Sequence, residues 1–441
     1  MTEHSNSLTT FDPAANAEDL AAFVAASPSS YHAVREAARR LDAAGFDEQA
    51  ETADFNPSPG GRYIIRDGAL IAWYTPEAAT SSSGFRIVGA HTDSPSFKLK
   101  PKSSIDRFGW HQIGVEVYGG ALLNSWLDRE LCLAGRLTTR EDGLISERLV
   151  TTGPVARIPQ LAIHLDRGVN DGLKLDRQTH VQPIWGAGEA PGDVLAYVAS
   201  HAVDGEAIDP ETILGYDIVL ADTQPPRVFG ANGEFLASGR LDNISSVHAG
   251  VEALTRASAG EVDGDKTLVL AAFDHEEIGS TSRSGAAGPI VEDVLVRISG
   301  SRGGGAEDYR CALANSVCLS SDAGHLVHPN YPGHHDPNNQ PQPGAGPLLK
   351  INANQRYATD AVGAAIWARA CTDAGVEYQE FVSNNDVPCG STIGPITATR
   401  LGIRTIDVGL GLLSMHSARE MCHVGDLAAL GRALESFYRV E

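Results

Sequence analysis

An α/β protein interrupted by a β-rich insertion is the fold class that this 441-residue chain predicts. Three observations carry the prediction. Continuous apolar runs of strand length occur at 85–90, 267–273, 316–321 and 404–409, and such runs suit strands buried on both faces. Apolar residues at helical spacing lie between them. From about 97 to 226 the character changes: short alternating runs such as Ile113-Gly-Val-Glu-Val-Tyr118 sit among Gly, Pro and Asp, with no long helix before 190. That is the pattern of a mainly β segment.

Taken in order, residues 1–16 are rich in Ser, Thr and Asn and predict a flexible tail. Leu20, Phe23 and Val24 at helical spacing predict a helix over 17–26. Ser27-Pro-Ser-Ser30 breaks it and caps a second helix over 31–44, ended by Gly45. Strands are expected at 63–65, 70–74 and 85–90, the last running into His91-Thr-Asp-Ser-Pro-Ser96. The predicted β-rich insertion covers 97–234, splitting a catalytic domain of 17–96 and 235–441. Within the insertion, His164 interrupts the apolar run 161–166, and spacing alone favours a core histidine there. A helix is expected over 244–256 with Asp242 just before it, where a plain helix cap is the default. The Pro- and Gly-rich loop 331–347 is long enough to be either functional or disordered. Helices at 359–374, 391–401 and 424–438 and strands at 378–382 and 404–409 complete the chain.

Composition excludes several function classes. A formal net charge of −22 argues against general nucleic-acid binding and against docking on an anionic membrane. No window approaches the apolar length of a membrane span, and the start has no secretory pattern. Cys132, Cys311, Cys318, Cys371, Cys389 and Cys422 are scattered without a Cys-x-x-Cys pair. They predict reduced, mostly buried thiols in a cytoplasmic protein, with neither a disulfide framework nor a thiolate zinc site.

The chemistry lies at the strand tips. The apolar run from 267 stops at Asp274-His-Glu-Glu277, which delivers two adjacent carboxylates, one able to bind a cation and one able to hold a proton. A solvated charged loop is the bland alternative for this stretch alone. The other tips decide between them: His91, with Asp93 placed to orient it, Asp242, Asp322 and His416 offer matching ligands. Imidazole and carboxylate without thiolate suit zinc, manganese or cobalt, and open α/β sheets bind ligands at the carboxyl ends of their strands. Two metals sharing Asp242 would each take one His and one further acid, Glu277 or Asp322. Glu276 is then left over as general base, and Asp93 as the residue behind His91. Such a site activates water for attack on an amide.

With these residues in view, the chain resembles the M18 metallopeptidases, the aspartyl aminopeptidases. The resemblance rests on Ser27-Pro-Ser-Ser-Tyr-His-Ala-Val34, Gly89-Ala-His-Thr-Asp-Ser-Pro-Ser96, Ser238-Gly-Arg-Leu-Asp-Asn243, Phe273-Asp-His-Glu-Glu-Ile-Gly-Ser280, the stretches 322–331 and 350–357, and Met415-His-Ser417. They run through almost the whole chain in the family's order. The departures within them are conservative, such as Ile278. The resemblance implies a zinc-exopeptidase-like αβα sandwich and a zinc-dependent exopeptidase removing N-terminal Asp or Glu. It implies metal ligands at His91, Asp242, Glu277, Asp322 and His416, with Glu276 as base. His325, Lys350 and Tyr357 match substrate contacts. His164 matches a histidine that reaches a neighbouring subunit's active site, and substrate contact is preferred to zinc ligation because five other ligands already satisfy two metals. The implied assembly is a tetrahedral homododecamer admitting peptides to a chamber. Alternatives are a neutral aminopeptidase or deacylase on the same metal set, or a non-catalytic shell.

Overall fold

The computed structural model describes residues 12–189, 191–260, 262 and 264–439. Residues 1–11 of the expected tail lie outside them, and the rest of it is mostly helical. The first helix is Pro13–Ala26 rather than 17–26, because Asp12 accepts from the Ala14 N–H at 3.0 Å and Pro13 fits the first helical turn.

The central element is a nine-stranded sheet. Its order is Asp47–Glu48, Gly60–Arg66, Ala69–Thr75, Thr267–Phe273, Phe85–His91, Val317–Ser321, Arg404–Gly409, Leu348–Ile351 and Gln379–Val382. The strands Thr267–Phe273, Phe85–His91, Val317–Ser321 and Arg404–Gly409 run parallel in the middle. They are the four apolar runs of the sequence, and every residue of the first two is buried. Alternation sends Val88 and Ala90 to one face, where they pack with Leu20, Leu41, Val247, Trp367 and Leu430 of five helices. Phe85 and Ile87 go to the other face, against Ile290, Leu295, Leu313 and Ile393. The result is an αβα sandwich. Helices Ile290–Ser301 and Ala306–Ala314 on the second face come without a forecast from the sequence.

A seven-stranded sheet spans Ser96–Arg107 to Ile213–Asp222, and the pairing of Ile213–Asp222 with both Ser96–Arg107 and Glu130–Glu141 closes it on itself. Phe97, Leu99, Ile113, Val115, Leu133, Leu137, Ile218 and Leu220 fill its own core. A third sheet joins distant segments in the order Arg227–Phe229, Phe235–Ser238, Glu420–His423, Gly411–Leu413 and Gly324–His325. The residues 161–166 are not a buried run. They form an exposed turn, with Leu161 60 % and Leu165 75 % exposed and His164 exposed between them, so the core-histidine expectation fails. All six cysteines are free thiols, with Cys311 exposed.

Candidate metal centre

Parallel register sets the site. Phe273 lies opposite His91, and Ser320 lies opposite Gly89, so the tips of three adjacent strands deliver His91, the 274–277 turn and Asp322 to one edge. Asp242 comes from the start of the helix Leu241–Ser258, where its backbone is non-helical and its peptide bond to Asn243 is cis. His416 comes from the turn after Gly411–Leu413. His275 and His416 adopt left-handed backbone with φ of 64° and 65°. Such strain in residues with side chains persists only where the surroundings enforce it.

His91, Asp242 and Asp322 form one triad of donor atoms within 4.8 Å of one another; Asp242, Glu277 and His416 form a second; His91, Glu276 and Glu277 form a third. The Nε2 of His91 is 3.3 Å from Asp242 Oδ1 and 3.4 Å from Asp322 Oδ1. The Nε2 of His416 is 3.5 Å from Asp242 Oδ2 and 3.4 Å from Glu277 Oε2. Each ring is fixed from behind. The Nδ1–H of His91 donates to the Asp93 carbonyl at 3.0 Å, and that of His416 to the Gly120 carbonyl at 3.1 Å. Both Nε2 lone pairs therefore face carboxylates.

The donor set fits divalent cations on three grounds. The Oδ1 of Asp242 and the Oε1 of Glu277 are buried and accept no hydrogen bond. Lone pairs opposed to carboxylates need a positive charge between them. Protein alone also strains the charges. Burial first, then Asp322 and Asp242 against the pull of His91, pushes the Glu276 carboxyl up to about 7. Burial and Asp242 raise Glu277 well above the carboxylate range. Burial opposes a charged His91 ring, yet Asp242, Asp322 and Asp93 outweigh it and raise His91 well above its ordinary value. Bound cations invert this balance.

Asp93 holds the 274–277 turn. Its Oδ1 accepts the Glu276 N–H at 3.0 Å, and its Oδ2 accepts the Glu277 N–H at 3.2 Å and the Tyr118 hydroxyl at 2.8 Å. One residue in this arrangement carried no signal in the sequence. Glu420 is 2 % exposed, accepting the Asp242 N–H at 3.0 Å and the His416 N–H at 2.8 Å. Burial, then the Asp242 charge, pushes its carboxyl up to about 8.

Around this centre the remaining expected residues divide. His325 and Tyr357 line a pocket of about 270 Å³ together with His335, Phe381, Cys389 and Met415. Lys350 is 1 % exposed and does not project into solvent; its ammonium donates to the Ala323 carbonyl at 2.6 Å and lies 3.7 Å from Asp322 Oδ2. His164 is in none of the three ligand groups.

Carboxylates and imidazoles gathered at the carboxyl edge of an αβα sheet, with one glutamate beyond the two triads centred on Asp242, make this a metallohydrolase in design. The chain belongs to the M18 family. Residues 23–438 match the family model described as Aminopeptidase I zinc metalloprotease (M18). It is 53 % identical over 424 residues to a probable M18 family aminopeptidase 2 of Streptomyces avermitilis, covering 95 % of this chain and 96 % of the relative. The protein superposes on a chain of the Ape4 and Nbr1 complex with TM-score 0.94 and 35 % identity, covering 97 % of this chain and 86 % of the other. It superposes on the S. cerevisiae mApe1 dodecamer with TM-score 0.83 and 31 % identity, each chain covered to 96 %. Membership makes it a metallo-aminopeptidase, a hydrolase. Among the described residues no helix is long and apolar enough to cross a membrane.

Proposed function

We propose that the protein removes N-terminal Asp or Glu from peptides with two divalent cations, zinc foremost and manganese or cobalt as alternatives, held by His91, Asp242, Glu277, Asp322 and His416. One observation carries the reading: the two oxygens of Asp242 face opposite ways, Oδ1 towards His91 at 3.3 Å and Oδ2 towards His416 at 3.5 Å, so the two triads share this acid. When bound, such a pair supplies Lewis acidity and an activated water. The chain's own groups do the rest. Glu276, half-buried and held through its N–H by Asp93, takes a proton from the attacking water and passes it to the leaving amine. Asp93 and Gly120 hold the two imidazoles in the tautomer that leaves Nε2 free.

The acidic side chain of the substrate enters the pocket of His325 and Tyr357. Behind it the Lys350 ammonium, 5.4 Å from the Tyr357 ring centroid, supplies positive charge. The exposed apolar turn around His164 suits burial against a neighbouring subunit, where that histidine would reach the neighbour's substrate. The dodecamer of the related mApe1 supports the same homo-oligomer here. On this reading 17–96 and 235–441 form the catalytic domain, 97–234 the insertion that guards access and builds the assembly, and the protein works in the cytoplasm. The test is hydrolysis of Asp-, Glu- and Leu-p-nitroanilide by one metal-analysed preparation. Acidic substrates cleaved at least tenfold faster support it; Leu as the better substrate moves the assignment to a neutral aminopeptidase.

A further inference from the structure

We infer that Glu420 is a positioning residue that sets the separation of Asp242 and His416. The inference rests on the two-cation reading above and goes beyond its ligand set. The backbone N–H groups of Asp242 and His416 both fall outside regular ladders. Asp242 has φ −81° and ψ 104° inside a helical segment, and His416 has φ 65°. A buried N–H without a partner is costly, so each needs an acceptor. A single carboxylate answers both, Oε2 to Asp242 and Oε1 to His416, across 178 residues of sequence in the first case.

The acid is anchored on both sides. Glu420 opens the strand Glu420–His423 and sits opposite Ser238, the last residue of the strand that leads into Asp242. Its position is thus tied by sheet pairing to the segment it orients. His416, four residues before it, lies on the other arm. The fixed spacing of two carboxylate oxygens thereby becomes a fixed spacing between two backbones, and so between two ligands of the triad Asp242, Glu277 and His416. Glu420 is in none of the three ligand groups and bonds the peptide N–H groups of two of their members.

Glu420→Gln keeps the volume but turns one acceptor into an NH2 group facing an N–H. Glu420→Asp keeps the carboxyl group but shortens the reach, so it cannot serve both backbones. The experiment titrates metal-free wild type and both variants with Zn2+ against a chromophoric chelator, and records the visible spectrum with Co2+. Wild type is expected to bind two zinc ions tightly. Each variant is expected to hold one of them 10- to 100-fold more weakly, the range for loss of an outer partner of a ligand, and to shift its cobalt bands. A merely structural acid would lower the melting temperature of the metal-free protein and leave zinc affinity and the cobalt spectrum alone; that result overturns the inference. If Glu420→Gln does not fold, Glu420→Asp decides by the same readouts. Wild type lacking two tight zinc ions would instead sink the two-cation reading, which separates the two failures.

Discussion

Replacing Asp93 by Asn removes a charge and one acceptor and leaves the shape. The amide oxygen can remain on the side of Oδ2, keeping the Tyr118 hydroxyl at 2.8 Å and the Glu277 N–H at 3.2 Å. The NH2 group then faces the Glu276 N–H, which Oδ1 accepts at 3.0 Å in the native protein. The loss falls on the residue proposed as base. A hydrogen bond to a charged group contributes about 1.5–3 kcal/mol, which converts at about 1.4 kcal/mol per decade to a rate loss of about 10- to 150-fold. His91 keeps its bond to the Asp93 main-chain carbonyl, so metal content is expected to stay near wild type. Steady-state kinetics on Asp-p-nitroanilide with metal analysis of the same sample is the assay. A kcat within threefold of wild type would refute the view that Asp93 holds the Glu276 turn.

Glu276→Gln is expected to retain both metals and lose roughly 10²- to 10⁴-fold in kcat, the usual contribution of a positioned base; near-normal turnover would remove it from that role. Lys350→Met keeps the buried volume without the ammonium that donates to Ala323. Its acidic-to-neutral substrate ratio is expected to fall at least tenfold, and an unchanged ratio would take Lys350 out of specificity. His32 gives a pH test away from the centre. It is buried against Ser29 at 2.8 Å, and burial, with Arg35 and Arg240 adding, lowers its pKa to about 4. The unfolded chain therefore binds the extra proton between pH 6.5 and 4, so this group makes stability fall as pH drops through that window, by about 3 kcal/mol in all. Urea midpoints of His32→Asn at pH 6.5, 5.5 and 4.5 should show a shallower acid slope; an identical slope would contradict the argument.

The gathering of these candidate donors was legible because strand tips write them beside apolar runs. His91 ends a buried strand, Asp322 directly follows one, and Glu276 and Glu277 lie in the turn after a third, and parallel register then brings the tips of these three adjacent strands together. Asp242 joins them from a helix start and His416 from a turn, and their approach could be expected but not placed. Glu420 left no trace because its two partners are main-chain N–H groups, and the sheet that positions it is assembled from five distant short segments. Local pattern cannot pair strands of two to four residues across such distances. His164 misled for a different reason: an apolar run of six residues reads as core unless something else in the assembly covers it, and here Leu161 and Leu165 are exposed on the single chain. Lys350, expected as a substrate contact, is buried beside Asp322, because Leu348–Ile351 pairs into the main sheet.

The shared acid is the centre of the account, and zinc stoichiometry tests it most directly. Wild type should bind two zinc ions per chain, and Asp242→Asn should lose tight binding of both, since each triad loses a charged oxygen in one substitution. Retention of one zinc ion at wild-type affinity by Asp242→Asn, or a single zinc ion in the wild type, would contradict it.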